Sequence, residues 1–328
     1  MSEQVSERVE RRPRTRRNPY GELIHLLNHR YHEQWVRAEA LQFKLDRLQR
    51  WKLLPLLEWL GRQGKRIRAL IRRRPGLALV EQATPYIPSV IPQPRTGLVS
   101  IIIPFKDRPE LLKNCLRSLS ASTYRRFEVI LVDNGSVQPR TQRLIDRYAA
   151  RPSVQAVADP SEFNFARLCN LGAGRASGDY LLFLNNDTEV LDRDWLEQLM
   201  NVAGDPKVGI AGATLLYPDR TIQHAGLFQR NDGIWVHPHR GEAEGSAEEL
   251  RSARGVPAVT AACLMMRRDL FQTIGGFDER YAVMYNDVDL CARVRQRGLQ
   301  VIVTPAARLF HFESLSRGYM LDEANRPH

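Results

Sequence analysis

From Val99 onward the chain alternates unbroken apolar runs with segments whose apolar residues recur every three or four positions. The first pattern marks strands covered on both faces, the second marks one-sided helices. Residues 99–103 and 127–132 are such runs, and between them Leu111, Leu112, Cys115, Leu116 and Leu119 form the apolar face of a helix opened by Asp107 and Pro109. A strand, a helix and a strand within about 35 residues predict a right-handed βαβ unit. The pattern continues with a strand over 154–158, a helix over 163–176, a strand over 180–184, and a helix from Asp192 with Trp195, Leu196, Leu199 and Met200 on one side. A strand over 208–213 follows. Residues 215–239 change character, with turn signals between short extended pieces, and predict a hairpin region in which His224, His237 and His239 are exposed. A last long buried strand over 258–266 precedes Gly275-Gly276-Phe277-Asp278-Glu279. The remainder reads as a helix over 286–297 ended by Gly298, a short strand over 301–303 and a polar loop over 311–318.

The N-terminal quarter is built differently. Residues 1–20 are Arg-rich and Pro-punctuated, a composition that predicts disorder. Over 22–51, Leu27, Tyr31, Trp35, Ala38, Leu41, Leu45 and Leu48 share one helix face, suited to packing on the following domain or on a second copy in an oligomer. After Pro55, a stripe of Leu56, Leu57, Leu60, Gly64, Ile67 and Ile71 is flanked by Arg62, Lys65, Arg66, Arg68, Arg72, Arg73 and Arg74. That fits a helix lying on an anionic membrane surface and equally a solvated basic face. Pro75, Pro85, Pro88, Pro92 and Pro94 mark a linker ending at Gly97. The expected division is a basic tail at 1–20, a helical basic extension at 21–76, a Pro-rich linker at 77–97, an α/β domain at 98–318 and a tail at 319–328.

Charge sharpens this division. Residues 1–76 carry 19 Lys+Arg against 8 Asp+Glu, and the remainder carries 29 of each, so the whole excess of +11 lies in the extension. A nucleic-acid-binding protein led by the Arg-rich N-terminus is the non-enzymatic reading, but it expects a basic groove on the folded domain, and the neutral balance there argues against it. Cys115, Cys169, Cys263 and Cys291 are far apart and sit among apolar neighbours, which fits buried thiols in a reducing cytoplasm better than a disulfide framework. The arginines near the N-terminus are followed by Asn18-Pro19-Tyr20-Gly21 instead of the apolar core of a signal peptide, and no run reaches membrane-span length.

Candidate chemistry starts where the 180–184 run gives way to Asn185-Asn186-Asp187. In an open α/β sheet, ligands bind outside the carboxyl ends of the strands, which makes Asp187 a candidate metal ligand. The same three residues also fit a plain strand-to-helix turn with Asp192 capping the next helix. Gly172, Gly174 and Ser177 nearly imitate a phosphate-binding glycine loop, but they fall at a helix end.

Taken in order, Val-Ser-Ile-Ile-Ile-Pro-Phe-Lys-Asp, Val-Asp-Asn-Gly-Ser, Asn-Asn-Asp, Gly-Gly-Phe-Asp-Glu, Asn-Asp-Val-Asp-Leu and His-Phe-Glu-Ser-Leu-Ser-Arg-Gly resemble an inverting family 2 glycosyltransferase of the GT-A fold. Bacterial enzymes that build O-antigen and other surface polysaccharides, rhamnosyltransferases among them, are similar. The resemblance implies a Rossmann-like α/β domain with a mostly parallel central sheet, and transfer from a nucleoside diphosphate sugar to a glycan or lipid-linked acceptor. It implies that Pro104, Phe105, Lys106, Asp107 and Asp133 hold the base and ribose, with Asn185 and Asn186 beside them. Asp187 would bind Mg²⁺ or Mn²⁺ bridging the diphosphate, with His311 a further metal ligand and Ser314, Ser316 and Arg317 near the phosphates. Asp287 matches the catalytic base, and Asp289 supports its loop. Asn185 stands where many relatives have Asp, which bears on how tightly the metal is held. The chemistry suits these residue types, because transfer develops oxocarbenium-like character while a leaving diphosphate needs a cation and the attacking hydroxyl needs a base. A sugar nucleotidylyltransferase is the competing enzyme class. It should carry a Gly-rich basic loop after the first strand, where this chain has Pro104-Phe105-Lys106-Asp107.

Overall fold

The computed structural model of the chain describes residues 78–89 and 96–312. In chain order these form β1 (Thr84–Pro85), β2 (Val99–Phe105), α1 (Pro109–Leu119), β3 (Phe127–Asp133), α2 (Pro139–Ala149), β4 (Val154–Ala158), α3 (Phe165–Ala173), β5 (Tyr180–Leu184), β6 (Thr188–Val190), α4 (Trp195–Ala203), β7 (Val208–Leu216), β8 (Ile222–His224), β9 (Phe228–Gln229), β10 (Trp235–Val236), β11 (Arg254–Gly255), β12 (Cys263–Arg267), α5 (Arg268–Thr273), α6 (Asn286–Arg295) and β13 (Gln300–His311). The helical extension at 21–76, its basic stripe, the tail at 319–328 and the candidates Ser314, Ser316 and Arg317 lie outside the described residues.

The apolar runs become the middle of one sheet with spatial order β1-β11-β13-β7-β12-β5-β2-β3-β4. β4, β3, β2 and β5 are mutually parallel, and β2, β3 and β5 are covered on both faces. β12 is inserted antiparallel between β5 and β7, and β13 runs parallel to β7, so the sheet is mixed. An unbroken apolar run states that both faces are covered but not which way the strand points. The two faces sort by strand period: Ile101 and Ile103 join Leu112 and Leu116 of α1 and Trp195 and Leu199 of α4, whereas Ile102 joins Leu168 of α3, Phe271 of α5 and Leu290 of α6. Fully burying each such side chain contributes about 1.5–3 kcal/mol. Gly172 belongs to this packing, since a Cβ there would lie 2.4 Å from Ile102 Cγ2. It serves helix-to-sheet contact, not phosphate binding.

Three elements depart from the pattern. β13 is twelve residues long where the apolar run alone indicated three, because its pairing with β7 slips between Thr304 and Arg308 and sets Pro305 aside. Proline cannot donate to a ladder, and such an irregularity is where a strand tolerates it. Beyond the slip β13 pairs antiparallel with β6, His311 opposite Thr188, so His311 ends a strand and does not open a polar loop. Asp192 starts no helix. α4 begins at Trp195, and the two Asp192 carboxylate oxygens accept from Arg308 Nε at 2.7 Å and Nη2 at 2.6 Å. His224 is the third departure: it is 1% exposed, because β8 is buried at every position. His237 and His239 are half-buried.

Candidate active site

Directions within the sheet bring the carboxyl ends of β2, β3, β5, β7 and β13 and the amino end of β12 to one edge. The candidates inside the described residues gather along this edge.

At one end, Pro104 and Phe105 are buried as the last residues of β2, Lys106 is exposed, and Asp107 and Arg108 have φ of 50° and 53°. Two successive non-glycine residues in the left-handed region are strained and need outside support. Asp107 N–H donates to Ser136 Oγ at 2.7 Å, and Asp107 Oδ1 accepts from Val137 N at 3.0 Å and Gln138 N at 2.9 Å. Asp107 therefore braces the start of α2, not the start of its own helix. Ser136 in turn donates through its backbone N–H and hydroxyl to Asp133 Oδ1. Asn134 extends the rim by donating to the carbonyls of Asp159 and Ser161 at 2.8 and 2.9 Å. The Ser161 hydroxyl and then the Arg167 guanidinium hold the Asp159 carboxyl below the usual carboxylate range. Three strand-end loops thus form one cross-linked rim.

At the other end stand Asn185, Asn186 and Asp187. Asp187 is 3% exposed, and its Oδ1 lies 3.2 Å from His311 Nε2. Its carbonyl accepts from Phe312 N at 2.9 Å, which locks the end of β13 beside it. Asn185 Nδ2 is 3.3 Å from the same His311 Nε2, while His311 Nδ1 is 2.9 Å from Gln223 Oε1. The Asn186 side chain is buried. Among the described residues no group of three or more His, Cys, Asp or Glu side chains is arranged to hold a metal ion. A cation at Asp187 and His311 would therefore need further ligands beyond the described His, Cys, Asp and Glu side chains.

The segment 260–262 joins this end to Asp287. Asn185 N–H donates to the Ala262 carbonyl at 3.0 Å, and Ala261 N–H donates to Asp287 Oδ2 at 3.2 Å. The Thr260 hydroxyl bonds Asp287 as well, and Val288 N–H closes on its Oδ1 at 2.9 Å. Burial pushes the Asp287 carboxyl above its ordinary range, and these hydrogen bonds only partly oppose it. Asp287 sits in the first turn of α6, behind Tyr285 at φ 63°. Asp289 faces elsewhere: Arg293 grips its Oδ2 through Nε at 2.8 Å and through Nη2 at 2.7 Å.

Sequence reasoning missed Gln223, His224 and Thr260. His224 accepts from Gly226 N and Thr260 N at 3.4 Å each, and its Nδ1 is 2.9 Å from His237 Nδ1. Burial, then the neighbouring His237, His311 and Arg254, drives its pKa well below the histidine range, so it is neutral. The residue types around it gave no signal, because a turn-rich stretch does not reveal that one of its strands is covered on both faces.

Residues 100–275 match glycosyl transferase family 2. The O-antigen biosynthesis protein RfbC of Myxococcus xanthus is 43% identical over 227 residues, which cover 68% of this chain and 18% of that protein. An uncharacterized protein, y4gI, of Sinorhizobium fredii is 38% identical over 70% of this chain and 26% of its own length. This chain thus spans about a quarter or less of those two relatives. The N-acetylglucosaminyl-diphospho-decaprenol L-rhamnosyltransferase of Mycobacterium tuberculosis is 29% identical over 63% of this chain and 73% of that enzyme. Among solved structures, GalNAc-T7 with UDP, GalNAc and Mn²⁺ superposes with a TM-score of 0.56 at 16% identity, over 66% of this chain and 43% of its own. The mannosyltransferase PcManGT of Pyrobaculum calidifontis with GDP-Man and Mn²⁺ does so at 0.54 and 19%, over 71% and 62%. The chain belongs to glycosyl transferase family 2, and its described domain has the GT-A fold.

Proposed function

We propose that this chain transfers a sugar, with inversion, from a nucleoside diphosphate sugar to a hydroxyl of a glycan or lipid-linked acceptor during synthesis of a bacterial surface polysaccharide. One observation carries the reading. The segment 260–262 is bonded on one side to Asn185, two residues from Asp187, and on the other to Asp287, so a cation-type site and a carboxylate of raised pKa share one edge.

In this reading Asp187 and His311 hold a divalent cation, Mg²⁺ or Mn²⁺. A carboxylate oxygen and an imidazole nitrogen 3.2 Å apart fit such an ion when diphosphate oxygens complete its shell. The bound cation would supply Lewis-acid stabilisation of the leaving diphosphate. The chain's own residues do the rest. The rim of Pro104, Phe105, Lys106, Asp107 and Asp133 receives the nucleoside, with Asn185 and Asn186 beside it. Asp287 accepts the acceptor hydroxyl's proton at a carboxylate oxygen, and its raised pKa favours that transfer near neutral pH. Ser314, Ser316 and Arg317 lie next along the chain from the Asp187–Phe312 contact, and in this reading they approach the phosphates. The relatives named for O-antigen and decaprenol-linked rhamnose chemistry support a polysaccharide setting.

The same reading extends to the N-terminus. The excess of +11 confined to residues 1–76 suits attraction to an anionic cytoplasmic membrane face, which would bring a lipid-linked acceptor to the edge.

A thermal-shift screen of nucleoside diphosphates and their sugars with Mn²⁺ tests the function. A ligand at 100 times its Kd stabilises by about 2.7 kcal/mol, and the shift should vanish in Asp187→Asn. If no nucleoside diphosphate raises the Tm of the wild-type protein in Mn²⁺, the proposal fails.

A further inference from the structure

Gln223 is the middle residue of β8, and the pairing of that strand is irregular there. Leu215 pairs with His224 and Leu216 with Ile222, which leaves Gln223 as the extra residue of a bulge. All three residues of β8 are buried, so the side chain of the extra residue meets protein whichever face it takes. A bulge of this kind re-aims a side chain, and bulges are over-represented beside active sites. Here the re-aimed group is a neutral amide, 6% exposed, whose Oε1 meets His311 Nδ1 at 2.9 Å.

An amide oxygen can only accept, so the proton of that contact belongs to His311 Nδ1. The other ring nitrogen carries an independent indication of the same arrangement. Asn185 Nδ2, an amide nitrogen that can only donate, lies 3.3 Å from His311 Nε2. The two contacts agree on one tautomer, protonated at Nδ1 and bearing a lone pair at Nε2. That lone pair is 3.2 Å from Asp187 Oδ1, an acceptor facing an acceptor, which a cation shared between them relieves, whether a metal ion or the second proton of an imidazolium.

We infer that Gln223 is a positioning residue: its amide oxygen, delivered by the bulge in β8, fixes His311 in the Nδ1-protonated tautomer so that the Nε2 lone pair is presented with Asp187 to a divalent cation. The inference rests on the metal reading of the proposed function for its last step but not for the tautomer.

The experiment is ¹⁵N NMR of the full chain labelled at histidine, together with Mn²⁺ binding followed by the loss of the free-ion EPR signal, using the metal alone as the probe. Above the ordinary histidine range, wild-type His311 should show a protonated Nδ1 and an unprotonated Nε2. Gln223→Glu keeps an acceptor oxygen and should preserve that signature. Gln223→Met fills the space without an acceptor and should redistribute the proton and weaken Mn²⁺ binding on the order of 10–100-fold, the usual effect of losing a group that orients a metal ligand. The wild-type spectrum tests the tautomer even if Gln223→Met does not fold. A wild-type His311 protonated at Nε2 overturns the proposal, as does a Gln223→Met protein with wild-type tautomer and wild-type Mn²⁺ affinity. Wild-type protein in the expected tautomer that takes up no Mn²⁺ alone, and none beyond that chelated by an added nucleoside diphosphate, refutes the cation step and the metal assignment above, while the tautomer assignment stands.

Discussion

Asp287 and Asp289 are two residues apart in the same first turn, and their surroundings separate them. Asp289 is held through two guanidinium nitrogens of Arg293, which engage its Oδ2 in place of an acceptor hydroxyl. Asp287 is bonded only by neutral donors, Ala261 N, Val288 N and the Thr260 hydroxyl, and burial raises its pKa. Asp287→Asn keeps the shape and removes the basicity, so kcat should fall about 10²–10⁴-fold while nucleotide affinity by calorimetry stays near wild type. The acid limb of the wild-type kcat/KM profile should lie above the ordinary carboxylate range, since the base works only when deprotonated. Normal turnover by Asp287→Asn, with loss in Asp289→Asn, would transfer the role to Asp289. Both carboxylates were legible in the sequence because they open a helix after a loop. The choice of Asp287 came only from the resemblance, because no local pattern shows the Arg293 contact to Asp289 or connects the strand entry at 260–262 to α6.

Elements were legible where burial alone defines them and obscure where a partner strand does. β2, β3 and β5 announced themselves as apolar runs. β13 did not, because Pro305 interrupts it and its last residues are ordered by pairing with β6. Phe277 shows the same dependence within a recognisable motif: it packs edge-on against Phe183 and Phe165, with centroids 4.9 and 6.3 Å away, and anchors the approach to α6. Its backbone N–H donates to Asn170 Oδ1 at 2.9 Å. Phe277→Ala should cost about 3–5 kcal/mol in denaturant unfolding, and a loss below 1 kcal/mol would show that the anchor is dispensable. A second elemental contact ties the segment before β2 to the end of α4. Burial pushes the Asp205 carboxyl up, but hydrogen bonds from Ser89, Lys207 and Tyr86 outweigh it and bring the pKa down to about 2. A carboxyl whose folded pKa is depressed stabilises fully above its unfolded value and loses that contribution as pH falls toward the folded one. Asp205 should therefore contribute about 2 kcal/mol near neutral pH, lost between about pH 4 and pH 2. Unfolding curves of wild type and Asp205→Asn across that window should converge as pH falls, and parallel curves would contradict the assignment.

At the scale of the whole molecule, charge and packing divide the labour. The four cysteines are buried, and burial pushes the Cys115 thiol up to about 12 and the other three well above the usual thiol range, so native protein should resist alkylation that the unfolded chain undergoes. No helix among the described residues is long and apolar enough to cross a membrane. The proposal assigns membrane contact to residues 1–76, with 19 Lys+Arg against 8 Asp+Glu. Each basic residue near an anionic surface contributes about 1 kcal/mol, and the attraction fades over a Debye length of about 8 Å at physiological salt. Full-length protein should therefore sediment with vesicles containing anionic lipid at low salt, remain free with zwitterionic vesicles, and be released as salt is raised. A chain lacking residues 1–76 should stay in the supernatant throughout while still showing the nucleotide-induced rise in Tm, because the rim, Asp187, His311 and Asp287 all lie beyond the deletion. If both proteins bind anionic vesicles equally, the surface attraction belongs to the neutral domain or to no electrostatic source, and the tether is excluded. If the shortened chain loses nucleotide binding as well, residues 1–76 act on the domain itself, and the reading of them as a separable basic appendage fails.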